Sequence, residues 1–200
     1  MLQKQPSSDA GSRLMDLTSL WTLEPGCMGA VAARAGVGKT ALMVQIALGQ
    51  MMSEQNVLHV SLKDTVNKVS LWYQEVFRNM ALQEGSHDWD ALWEGLLARR
   101  FIMSFRIAVL GERVHDLIAQ GIFTPRVMII DGIPFDGEAD HSILGELKEM
   151  LACHRISAWL SVRTHRHEAV GEDGTPWQLN RIVHFFDSGV VLQPSGKQIH

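Results

Sequence analysis

The residues best suited to chemistry stand in one run, Ala33-Arg34-Ala35-Gly36-Val37-Gly38-Lys39-Thr40, followed by Ala41 and Leu42. Gly36 and Gly38 let the backbone turn its N–H groups inward around an anion, and a side chain at either position would obstruct that approach. Lys39 adds a positive charge beside this nest and Thr40 a hydroxyl suited to Mg2+, while a helix beginning here adds its dipole. The pattern fits the phosphate-binding loop, or Walker A motif, with Ala33 where the first glycine normally stands. It implies a nucleoside triphosphate such as ATP, held by Ala35, Gly36, Val37, Gly38, Lys39, Thr40 and Ala41.

A metal ion on Thr40 needs an acidic partner at the end of a buried strand, and Val127-Met128-Ile129-Ile130-Asp131 offers one. Asp131 is therefore expected to contact Mg2+ through water. Gly132 follows it, so ATPases that place a catalytic Glu directly after this Asp are disfavoured.

These groups need a scaffold, and the chain has the material for one. Its 200 residues suit a single domain, and 46% apolar against 20% charged residues excludes disorder throughout. No apolar stretch approaches the roughly 18 residues of a membrane span, and the first residues lack an apolar signal core, so a cytoplasmic protein without a membrane partner is expected. Residues 1–12 read as a flexible tail and 13–200 as one nucleotide-binding domain. Cys27 and Cys153 lack any CxxC partner and read as reduced thiols.

Short apolar runs at 28–33, 57–62, 102–110, 127–130, 156–162 and 189–192 read as strands, several of them unbroken and hence covered on both faces. Helical spacing runs over 40–53, 66–80, 89–99, 113–120 and 142–154. The alternation predicts an α/β fold with a mostly parallel central sheet flanked by helices.

A net charge of −4 and a pI near 6.1 exclude a histone-like binder. A nucleic-acid partner would need a local basic stripe, and only Arg99-Arg100 and 163–167 are candidates. Leu71-Trp72-Tyr73, Trp89 and Trp93 are candidate base-stacking platforms, but the helical spacing of Trp89 and Trp93 reads as core or partner surface first. His154, His165 and His167 have no acidic or Cys partner at ligand spacing and read as surface residues.

The segments Leu14-Met15-Asp16-Leu17-Thr18, Glu24-Pro25-Gly26 and 29–42 resemble the RecA-like P-loop ATPases, most closely the replicative-helicase (DnaB) and KaiC branch. The blocks 57–62, the Asp131 strand, and 156–166 leading to 187–192 follow in that family's order. The resemblance implies a RecA-like fold that binds ATP with Mg2+. It also implies a water-activating Glu at the position of Lys63 and a polar γ-phosphate sensor at that of Arg163.

A protonated Lys is no base, so the catalytic carboxylate is sought at Asp64, or at Glu138 or Asp136 beyond the Asp131 strand. Arg163, where the family usually has Gln, would grip phosphate as a planar charged donor. The chain reaches His200 without the Lys-x-Arg element by which oligomeric members touch a neighbour's nucleotide, which argues against a ring motor. The expected function is an ATP-dependent switch or weak ATPase acting with a protein partner or a second copy of itself. The alternatives are an active ATPase working on nucleic acid, and a small-molecule phosphotransferase with Arg163, Arg166 and Arg181 as a basic lid.

Overall fold

The computed structural model describes residues 21–84, 89–135, 140–164 and 177–192. Six strands form one sheet: β1 (Met28–Ala33), β2 (Val57–Ser61), β3 (Arg100–Ser104), β4 (Val127–Asp131), β5 (Ser157–Arg163) and β6 (Ser188–Leu192). Every pairing is parallel, in the order β3-β2-β4-β5-β1-β6. The helices are α1 (Lys39–Met52), α2 (Val66–Glu84), α3 (Trp89–Leu97), α4 (Leu110–Ala119), α5 (Asp140–His154) and α6 (Trp177–Ile182). The expected α/β architecture with a parallel sheet is thus present, and no described helix is long and apolar enough to cross a membrane.

Strands β1, β2 and β4 are buried along their whole length, as their unbroken apolar runs require. Alternation divides their side chains between two cores. Met28, Ala30 and Ala32 join Leu58, Val60, Met128, Ile130 and Leu160 under α4, α5 and α6. Val31, Val57, Ile129 and Trp159 pack beneath α1, α2 and α3. The register pairs Gly29 with Trp159, and the indole lies where a Gly29 side chain would go: an added Cβ would stand 2.5 Å from Trp159 Cε3. The indole Nε1 donates to the Trp21 carbonyl at 2.9 Å, which ties the start of the described chain to the sheet.

Two neighbouring strand pairs send their connections to opposite faces. After β1 the chain enters α1 on one side, and after β5 it enters α6 on the other; β2 and β4 diverge likewise into α2 and α5. Such divergence opens a crevice beyond the carboxyl ends of the strands, where open α/β sheets bind ligands.

One expected element is corrected. The apolar run 102–110 is not one strand: β3 ends at Ser104, Arg106 is extended, and Ile107–Val109 form a 3₁₀ turn leading into α4 at Leu110. Apolar content alone does not show where a run passes from sheet to helix. Helix α6 lies where no helical spacing is evident, since one six-residue turn carries too little periodicity.

The polar members of the core beneath α2 carry a constraint of their own. His59 is 1% exposed, hydrogen-bonds through Nδ1 to the Tyr73 hydroxyl at 3.0 Å, and has no partner for Nε2 among the described residues. Burial drives its pKa from 6.5 down to about 4, so it is neutral at physiological pH. Below pH 6.5 the unfolded chain binds a proton that the folded chain refuses until about pH 4. Stability therefore falls as pH drops through this window, by about 3 kcal/mol from this group. Urea midpoints measured from pH 7 to pH 4 should fall more steeply for the wild type than for His59→Gln, and parallel profiles would contradict this account.

Candidate functional site

Beyond the carboxyl ends of the strands lies a cleft of about 750 Å3. The loop after β1 forms one wall, with Ala35, Gly36, Gly38, Lys39, Thr40 and Ala41. Lys63, Asp64, Lys68 and Trp72 come from the β2 end and α2, Gly132 to Phe135 from the segment after β4, and Ser161 and Arg163 from β5.

The loop has the backbone that its glycines predict. Gly36 has φ 80° and Gly38 φ 94°, both in the left-handed region, and a Cβ on either would meet no protein atom within 4 Å. Both glycines line the cleft. Gly38 is also the N-cap of α1 and has no side chain to cap it, while the first helical turn holds no acidic residue. The helix thus presents uncapped N–H groups and the positive end of its dipole.

Lys39 folds back over this loop, donating from Nζ to the Ala33 carbonyl at 2.6 Å and the Arg34 carbonyl at 3.1 Å. Burial and the Lys63 and Arg163 charges lower its pKa, against the pull of Asp131. An anion entering the loop would relieve both effects.

Alternation brings the polar strand ends together beneath α1. Ser61 and Asp131 end their strands and Ser161 lies two residues before the end of β5; the preceding same-face residues, His59, Ile129 and Trp159, lie in the core on that side, and all three polar residues are buried. Thr40 donates from Oγ1 to Asp131 Oδ2 at 3.2 Å, so the two residues expected to share a metal ion are in contact. Ser161 Oγ donates a very short hydrogen bond to Asp131 Oδ1 and accepts from the Gly132 N–H at 3.1 Å. The Lys63 ammonium lies 3.2 Å from Oδ2 and 3.4 Å from Oδ1 of the same carboxylate. Burial alone would raise the Asp131 pKa, but the Ser161 hydroxyl and Lys63 outweigh it and hold the carboxyl below its usual range.

Lys63 and Asp64 both reach the cleft, because the chain turns as soon as β2 ends. The Asp64 N–H donates to Ser61 Oγ at 2.9 Å, and the Asp64 carboxylate is bound by Lys68 at 2.7 Å across one helical turn. As a base, Asp64 starts from an ion pair. Arg163 is exposed on the cleft wall, and Val37 is half-buried outside the described lining. Asp136, Glu138, His165, Arg166 and His167 lie outside the described residues. Arg181, on α6, is exposed and is not among the described cleft residues.

Ser161 and Lys68 are polar contributors that escape a reading of the sequence, and Trp72, weighed there as a base-stacking platform, lines the cleft. The one signal for Ser161 is a hydroxyl at a core-facing position near the end of an otherwise apolar strand. Among the described residues, no group of three or more His, Cys, Asp or Glu side chains is placed to hold a metal ion. Cys27 and Cys153 are free thiols, as expected.

The basic pair Arg99-Arg100 is not a free surface. Arg99 donates to the Glu54 carbonyl at 2.9 Å and pairs with the Glu54 carboxylate, while the Arg100 guanidinium stacks 4.6 Å from the Tyr73 ring centre and 5.7 Å from that of Trp93. Trp89 and Trp93 pack against Phe77, with ring centres 5.7 and 4.9 Å apart, in agreement with the core reading. No protein family matches the chain, and no curated protein resembles it significantly.

Ser161 supports both the Asp131 carboxylate and the Gly132 amide. Ser161→Ala should lower the free energy of unfolding by about 1–3 kcal/mol, the cost of leaving buried polar groups unpaired. Urea denaturation at pH 7 measures this, and a loss below about 0.5 kcal/mol would show that neither bond matters to the fold.

Proposed function

We propose that the chain is a RecA-like nucleotide-binding protein that takes ATP at this cleft and works as a nucleotide-dependent switch with slow hydrolysis. The observation that carries the reading is the meeting of Lys39, Thr40 and Asp131 at the uncapped start of α1, beside a cleft-lining loop whose two glycines take positive φ. An open nest of N–H groups, a helix N-terminus and an adjoining ammonium suit a phosphate chain. Arg163, in register with Ala33 at the start of the loop and exposed on the cleft wall, suits the terminal phosphate as a planar donor.

Slow hydrolysis follows from the candidate bases. The family's position for a water-activating Glu holds Lys63, which is paired with Asp131, and Asp64 is bound by Lys68. A carboxylate held by an ammonium is a weaker base, and an ammonium is none. An ATPase driven by nucleic acid finds less support, because Arg99 and Arg100 are committed to Glu54, Tyr73 and Trp93. A phosphotransferase lid drawn from Arg181 lacks a place in the described cleft wall. The switch would act through a protein partner or a second copy of the chain, its two states differing in whether phosphate occupies the loop.

Titration calorimetry with ATP should give binding by the wild type and at least tenfold weaker binding by Lys39→Ala, about 1.4 kcal/mol or more. ATP turnover by the wild type should exceed that of Lys39→Ala only slightly. Equal affinities would overturn the assignment of the loop, and clear wild-type turnover would replace the switch with an ATPase.

A further inference from the structure

Resting on the nucleotide reading of the cleft, we infer that Lys63 takes the place of the divalent cation, so that this site binds a nucleoside triphosphate without Mg2+. Thr40 and Asp131 stand together as metal ligands would, but the carboxylate between them is already engaged. A carboxylate has two oxygens with about four acceptor directions. Oδ1 receives Ser161 and Lys63, and Oδ2 receives Thr40 and Lys63. A metal ion, or water on its way to one, would have to displace one of these donors. It would also stand beside an ammonium held on the same carboxylate, where like charges repel.

The seat of Lys63 is built rather than incidental. Gly132 has φ 96°, and a Cβ placed on it would lie 3.2 Å from Lys63 Cγ and 3.3 Å from its Cβ and Cδ. The missing side chain of Gly132 is the space in which the Lys63 stem rests. Stem and head are thus both held, the first by Gly132 and the second by Asp131, while the side chain remains 48% exposed toward the cleft. An ammonium has three N–H donors, and the two carboxylate oxygens leave at least one for a phosphate oxygen.

The surrounding charge agrees. The described cleft lining holds four cationic side chains, Lys39, Lys63, Lys68 and Arg163, against one carboxylate, Asp64, with Asp131 buried behind it. The excess is positive before any metal arrives, as the neutralisation of a phosphate chain requires. Lys63 thereby supplies what a divalent ion would otherwise bring to the β and γ phosphates, a charge fixed opposite the loop. It does so without activating water, in keeping with a site whose hydrolysis is slow.

The test is titration of the purified full chain with ATP, once in excess Mg2+ and once in EDTA. The wild-type Kd should change by less than about threefold between the two buffers. Lys63→Met should weaken binding at least about tenfold in EDTA and recover on adding Mg2+, whereas Lys63→Arg, which keeps the charge, should bind in EDTA as the wild type does. Wild-type binding that weakens tenfold or more in EDTA, or a Lys63→Met protein that binds there like the wild type, would overturn the inference and leave the nucleotide reading standing. No ATP binding in either buffer would sink the nucleotide reading itself, and this inference with it.

Discussion

One buried charge organises the carboxyl-terminal edge of this sheet. Asp131 is 2% exposed, and an ionised carboxylate at that depth is tolerable only where its neighbours replace the water it has lost. Those neighbours come from three separate parts of the chain: Thr40 from the first turn of α1, Lys63 from the turn after β2, and Ser161 from β5. Each donor can reach only if its element ends where it does. The order of the strands is thereby locked to the chemistry, since β4 sits between β2 and β5 and can receive from both. Ser161 extends the network to the Gly132 amide, so the strand end and the turn after it are held by a single hydroxyl.

Local requirements were the legible part of this sequence. The glycines at 36 and 38 announce a backbone that other residues resist, and both adopt positive φ. Unbroken apolar runs such as 127–130 announce strands covered on both faces, and β4 is buried along its length. What depends on partners distant in sequence was not legible. Nothing near Ser161 indicates that it meets Asp131, because that contact arises from the parallel pairing of β4 with β5. Nothing in Trp72 or Lys68 separates a helix surface from a cleft wall until the crevice between β2 and β4 is seen. The run 102–110 was misread for a related reason: its apolar residues serve a strand, a 3₁₀ turn and a helix start in succession, without a glycine or proline to mark the joints.

Lys63 shows how a departure from a family's pattern gains meaning from structure. In sequence it is a missing glutamate, a deficit. In the fold it is a donor with a seat and a counter-ion, and Gly132, which in sequence records the absence of another carboxylate, is part of that seat. Arg100 makes the reverse transition. Beside Arg99 it reads as half of a basic patch, yet in the fold its charge is spent on the faces of Tyr73 and Trp93 in the core, where burial lowers its pKa.

The contact between Lys63 and Gly132 also constrains how this chain can change over generations. At 132 any side chain must bear the strain of φ 96° and also press on the lysine stem, so the glycine is held in place twice over while Lys63 remains. Replacing Lys63 with an acidic residue alone would set a second carboxylate toward buried Asp131 with no cation between them, a step that costs stability before it can add reactivity. Single substitutions leading from this site toward a hydrolytic one are therefore each unfavourable by themselves. The two positions are thus coupled, and a change at either is felt through the contact between them.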